Sequence, residues 1–145
     1  MTILIDADGC PVVDIVLACA RQRAIDVVLV CDTAHELERD GAKTVTVSKG
    51  ADSADFRLVN LIRNGDLVIT QDYGLAAMAL AKQAAVLNQD GMRYTRDNID
   101  ALLLARHTAR KIRRGGGRLK GPAKRTKGQD DAFREALCAL LAGAQ

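Results

Sequence analysis

Apolar residues recur along this chain in two alternating rhythms. A short apolar run at residues 2–5 ends at Asp6, and β-branched runs follow at 27–31, 44–47 and 66–70, with a further short run at 85–88. Apolar stretches of this length, bounded by turn residues, predict buried strands. Between them the spacing becomes helical. Val12, Val13, Val16, Leu17 and Ala20 share one face after Pro11, a residue suited to a first helical position. A helix opened by residues 50–52 carries Phe56, Leu58, Val59 and Ile62 as its buried face and stops at Asn64-Gly65, and the alanine-rich stretch 75–83 is helical by propensity. The pattern further predicts a helix from about Asn98, capped by Asp97, to Arg114, and a last one from about Gln129 to Leu141.

Strands alternating with helices imply right-handed crossovers and a mostly parallel sheet covered on both faces. The fold class is therefore α/β, a three-layer sandwich with about four or five strands. A chain of 145 residues suits one domain, spanning 1–145, which at this size buries roughly 70% of the surface its unfolded form exposes. The start lacks a basic region followed by a long apolar run, and no stretch reaches the ~18 apolar residues of a membrane span. Cys10, Cys19, Cys31 and Cys138 are far apart and lie in or beside apolar runs, so they read as reduced packing residues of a cytoplasmic protein. Cys31 and His35 would supply only two zinc ligands, which rarely make a site.

The net charge of +3 conceals an asymmetry. Residues 1–105 carry ten Lys/Arg against fifteen Asp/Glu, whereas residues 106–127 carry ten Lys/Arg and no acid. An acidic core thus bears a basic C-terminal helix and loop, at about 98–128, packed on it or extending from it. Arg106, Arg110 and Arg113 form a stripe on the helix, and Arg114, Arg118, Lys120 and Lys124 continue the charge into the Gly-rich loop. Such a stripe suits a phosphate backbone, and with no Trp, two Phe and two Tyr the expected recognition is of backbone more than of bases.

The candidate chemistry lies in the acids. Asp6 and Asp72 each follow an apolar strand, and in a parallel sheet their side chains would emerge at the same carboxyl edge and share one cation. Asp52 and Asp55, three apart, point to one side of a helix start, where negative charge is tolerated. Asp8 accompanies Asp6. Asp52 or Asp55 alone serves equally well as a helix cap, and so does Asp72 for the helix that follows it. Oxygen donors without His or Cys favour Mg²⁺ or Mn²⁺. Asp14, Asp26, Asp32, Asp40, Asp66, Asp90 and Asp100 read as solvated or turn residues.

The blocks Asp6-Ala-Asp8-Gly-Cys10-Pro11-Val12, Ser48-Lys-Gly50-Ala-Asp52-Ser-Ala-Asp55-Phe56, Gly65-Asp-Leu-Val-Ile-Thr70-Gln-Asp72, and Gly121-Pro122 through Asp130-x-x-Phe133 resemble the YaiI/YqxD family of bacterial proteins over nearly the whole chain. That family looks like a branch of the PIN-like domains, whose better-known members are Mg²⁺- or Mn²⁺-dependent ribonucleases with three or four acids around the metal. The resemblance implies that Asp6 is the first-strand acid, Asp52 and Asp55 the helix acids and Asp72 the acid after the fourth strand, with Thr70 as a hydroxyl partner. PIN-like sites often offer one more acid just beyond; here stand Tyr73, Gly74 and Leu75, a departure from the complete two-metal pattern. The expected function is a metal-dependent nuclease acting on RNA. Two alternatives are a module that grips RNA without cutting it and a phosphatase of the haloacid-dehalogenase type. The phosphatase reading uses Asp6 as nucleophile and Asp8 as acid/base, with Thr70 and Lys82 in later roles.

Overall fold

A computed structural model describes residues 1–32, 37–48, 53–116 and 124–143, with Ser53 and Arg113 described by their backbone alone. The elements run β1 (Thr2–Asp6), α1 (Val13–Gln22), β2 (Asp26–Asp32), β3 (Ala42–Val47), α2 (Ser53–Leu61), β4 (Leu67–Ile69), α3 (Tyr73–Ala81), β5 (Ala85–Leu87), β6 (Arg93–Tyr94), α4 (Arg96–Arg114) and α5 (Lys127–Gly143). One six-stranded sheet has the order β3-β2-β1-β4-β5-β6. The first five strands are parallel, and β6 pairs antiparallel with β5. The strand beyond the expected number is this β6, whose two residues are too few to show a period.

Pleating divides the core between the two faces. Ile3 and Ile5 of β1 pack with Val13, Val16 and Leu17 of α1 and with Phe133, Leu137 and Leu141 of α5. Leu4 points the other way, into a layer with Leu58 and Ile62, Leu75 and Ala79 of α3, and Ile99 of α4. Helices therefore cover both faces, as the strand–helix alternation requires.

Three expectations about local structure are corrected. Phe56 does not belong to the buried face of α2: it is 63% exposed, because it lies two residues from buried Leu58, about 200° around the helix. The caps of the last two helices are reciprocal. Thr95 N donates to Asn98 Oδ1 at 2.8 Å and Asn98 N to Thr95 Oγ1 at 3.2 Å, so α4 starts at Arg96 with Thr95, not Asp97, as its cap. Thr126 and Gln129 make the same pair at the start of α5. Asp66 is not solvated but 6% exposed; its carboxylate accepts from Thr2 N at 2.9 Å and Arg63 N at 2.8 Å and so ties β1 to the turn before β4.

The C-terminal helix is clamped beside the end of β5. Arg125 donates to Asp90 Oδ1 at 2.9 Å, to Asp130 Oδ1 at 2.7 Å and to Gln89 O at 2.7 Å. Gly91 in the same turn has φ +88°, and a Cβ there would stand 2.9 Å from Ala132 O and from Ala136 Cβ of α5. Both the backbone angle and the close approach demand glycine, so Gly91→Ala is expected to lower stability by more than about 1 kcal/mol in denaturant titrations. An unchanged midpoint would mean that α5 is not pressed on this turn.

The four cysteines are free, with Cys19 and Cys31 buried and Cys19 Sγ 3.7 Å from Cys138 Sγ, which agrees with the packing reading. His35 lies outside the described residues. No helix among the described residues is long and apolar enough to cross a membrane.

Candidate functional site

From β1 the chain moves outward to β2 and β3 and then returns to place β4 on the other side of β1. The connections leaving β1 and β4 diverge, and the crevice beyond the carboxyl ends of those strands is where an open α/β sheet receives ligands. Asp6 is the last residue of β1, and Thr70 follows β4, extending its pairing through Thr70 N to Leu87 O at 3.1 Å. The two side chains meet: Thr70 Oγ1 donates to Asp6 Oδ2 at 2.9 Å and accepts from Asp72 N at 3.0 Å. Tyr94 holds the other side of Thr70 by donating its hydroxyl to Thr70 O at 3.2 Å.

Asp72 is the N-cap of α3, accepting from Leu75 N at 3.0 Å, so the capping role weighed for it is real. Its Oδ1 also lies 3.6 Å from Arg106 Nη1 of α4. Asp8 sits in the turn after β1, closed by Cys10 N to Ala7 O at 3.1 Å and permitted by Gly9 at φ +70°. Asp8 Oδ2 accepts from Asp32 N at 3.3 Å, linking this turn to the end of β2. Asp55 stands half-buried in the first turn of α2.

The electrostatic consequence falls on Asp6. Burial is the main cause that pushes its carboxyl from 3.8 up to about 6; the charges of Asp55, Asp8 and Asp72 add to the rise, and the Thr70 hydrogen bond opposes it. Three of the other four predicted acids, Asp8, Asp55 and Asp72, are thus close enough to act on Asp6. Asp52 lies outside the described residues.

Two hollows adjoin this group. A small hollow of about 30 Å³, lined by Asp6, Asp8, Cys10, Ile69, Thr70, Gln71 and Gln89, has room for water or a small ion. An open cleft of about 240 Å³ lies beside it, lined by Asp55, Phe56, Asp72, Gly74, Leu75, Met78 and Arg106.

The donors suit a hard cation. They are carboxylate, hydroxyl and carboxamide oxygens, and Asp6 is a carboxylate whose charge the fold disfavours and a dication would restore. Gln89 adds a buried Oε1 that finds no donor among the described residues. Burial pushes the Cys10 thiol up, which keeps the one soft atom protonated. Among the described residues, no group of three or more His, Cys, Asp or Glu side chains is placed to hold a metal ion. An ion held there would be bound through Asp6, Asp8 and water, the habit of Mg²⁺.

The basic residues are placed less uniformly than their sequence suggests. Arg106 reaches Asp72, while Arg110 one turn along α4, Arg114 at its end and Lys124 before α5 are exposed and line neither hollow. Arg118 and Lys120 lie outside the described residues, as does the Arg113 side chain. Lys82, considered for the phosphatase, sits at the far end of α3 and donates to Val59 O at 2.7 Å. Gln71, Gln89 and Phe56 were not anticipated. Gln89 had a usable signal, since it follows a strand just as Asp72 does; Phe56 had none, because a single aromatic in a helix reads as core.

Residues 4–143 match the family described as "Uncharacterized BCR, YaiI/YqxD family". The chain is 51% identical over 141 residues to the UPF0178 protein of Exiguobacterium sibiricum, covering 97% of this chain and 96% of that protein. It is 50% identical to the UPF0178 protein of Ruminiclostridium cellulolyticum, with 97% and 92% covered, and 46% identical to that of Enterococcus faecalis, with 97% of each covered. No solved structure matches the chain.

Proposed function

The chain belongs to the YaiI/YqxD family, and from that membership, its resemblance to PIN-like ribonucleases and the crevice at Asp6 we propose that it is a metal-dependent nuclease acting on RNA. The observation that carries the reading is the chain of contacts Asp6–Thr70–Asp72–Arg106, which joins two half-buried carboxylates to a guanidinium at the switch point of the sheet. Asp6 and Asp8, with Gln89 beside them, would hold Mg²⁺ or Mn²⁺. The ion would supply charge neutralisation at the scissile phosphate and a water made acidic enough to attack it. Thr70 keeps the Asp6 carboxylate in one orientation. Arg106 stands where it can exchange its long contact with Asp72 for a phosphate oxygen, and Arg110 offers a second charge along α4.

Purified protein incubated with labelled RNA and DNA in Mg²⁺, Mn²⁺ or EDTA tests this directly: RNA should be cut in either metal and left whole in EDTA. Arg106→Ala with Arg110→Ala should weaken binding of all sequences alike and flatten its salt dependence, by about one unit of slope for each phosphate that is no longer neutralised. Absence of cleavage in every metal, together with tight and salt-dependent RNA binding, would replace the nuclease with a non-catalytic RNA-binding module. The engagement of Asp72 as a helix cap is the observation that keeps this second reading in play.

A further inference from the structure

A phenylalanine that is 63% exposed is unusual in a chain with two of them, and the other, Phe133, is completely buried. Phe56 is also specifically placed. It follows Asp55 in α2 and shares one open cleft with Asp55, Asp72 and Arg106. The remaining wall is Leu75 and Met78 of α3, with Met78 itself 39% exposed, and Gly74. A Cβ on Gly74 would approach Asp72 Oδ1 to 3.2 Å, so the absence of a side chain there keeps the space beside that carboxylate open. The cleft thus combines the exposed apolar surfaces of Phe56 and Met78 with the charged groups of Asp55, Asp72 and Arg106, immediately beside the Asp6–Thr70–Asp72 contacts.

Phe56 and Met78 suit a flat apolar ring, and Arg106, rather than the two carboxylates beside it, suits an adjoining anion on the same short scaffold. A nucleotide within a strand has this shape. At about 240 Å³ the cleft is smaller than the roughly 300–1,000 Å³ of pockets that enclose a whole small molecule. It suits one ring of a polymer whose remainder stays in solvent. Base stacking requires an unstacked, unpaired base, because a duplex keeps its ring faces covered.

We infer that Phe56 is a stacking platform for one base of a single-stranded nucleic acid, adjoining a phosphate held by Arg106, and that the site consequently takes single strands in preference to duplexes. This rests on the nuclease reading for its choice of polymer and adds the substrate class. It also refines the expectation that recognition is of backbone more than of bases: one base contributes, through its ring face, without its sequence being read.

The chain contains no tryptophan, so Phe56→Trp creates a sole indole at the platform. In EDTA and low salt, a single-stranded RNA oligonucleotide should quench the emission of this variant, and the same oligonucleotide with abasic positions should not. Phe56→Ala should weaken single-strand binding, followed by anisotropy of a labelled oligonucleotide, about tenfold while leaving duplex binding and the melting temperature unchanged; Phe56→Leu should behave like the alanine variant. Strand binding without quenching, equal quenching by the abasic strand, or an undiminished affinity in Phe56→Ala would each overturn the platform while leaving the nuclease reading standing. If wild type binds no oligonucleotide of any kind, in EDTA or with Mg²⁺ present, the platform and the nuclease reading fall together.

Discussion

Asp6→Asn should lower metal-dependent RNA cleavage at least a hundredfold and yet, in EDTA at pH 8, raise the melting temperature of the protein. The loss of activity follows from its place at the end of β1, where its carboxylate would bind the ion; metal stabilisation of a reacting phosphate amounts to several kcal/mol, and about 1.4 kcal/mol is tenfold in rate. The gain in stability follows from the sign of the ionisation. Asp6 is raised from 3.8 to about 6, above its value in the unfolded chain, by burial first and by three neighbouring carboxylates after it. Its contribution to stability is therefore fully present below about pH 4 and lost as pH rises through about 6, an effect of roughly 3 kcal/mol at full extent. Asparagine carries no charge and escapes that penalty. Mg²⁺ or Mn²⁺ should restore stability to the wild type by binding the folded state and should do so much less for the variant. Parallel pH profiles of melting temperature in the two proteins, or an equal response to metal, would remove Asp6 from the site.

Thr70→Val should reduce cleavage ten- to a hundredfold at constant substrate affinity, the usual size of effect when a group orienting a metal-binding side chain is removed. The substitution conserves shape at a position only 2% exposed but deletes both the bond to Asp6 and the acceptor for Asp72 N. Because that bond opposes the rise at Asp6, its removal moves the Asp6 ionisation higher still, and the acid limb of the pH–rate profile should shift upward. Two polar groups are also left without a partner, at a cost of about 1–3 kcal/mol in stability. Thr70→Ser keeps the hydroxyl and should recover the wild-type profile. If the valine and serine variants are equally impaired with unshifted profiles, Thr70 acts through packing and not through Asp6.

Much of the architecture was legible because period and punctuation are local properties. The apolar runs at 2–5, 27–31, 66–70 and 85–88 correspond to β1, β2, β4 and β5, and the placement of Asp6 and Asp72 just past strands made a shared carboxyl edge a consequence of parallel pairing. Strand β6 escaped notice because its pairing with β5 is settled by the turn at Gly91 and not by its own two residues. The caps at Thr95 and Thr126 followed a rule visible in the sequence, a hydroxyl with an amide three residues on, which at Thr95 the nearby Asp97 obscured.

Other features depended on the assembled molecule. Amphipathic spacing identifies candidates for burial, but the face of α2 that meets the sheet is chosen by packing, and Leu58, with Ile62 just past the helix end, is buried at the expense of Phe56. The charge on Asp72 was readable, whereas its engagement by Arg106 was not, since 34 positions separate them and only the packing of α4 beside α3 closes that distance. The same holds for Asp66, buried by a bond from Thr2, and for the raised ionisation of Asp6. The amino-acid sequence by itself determined which groups are available and at which edge they emerge; the tertiary structure decided which of them touch and how strongly, because hydrogen bonds and desolvation act over a few ångströms between residues that the chain keeps far apart.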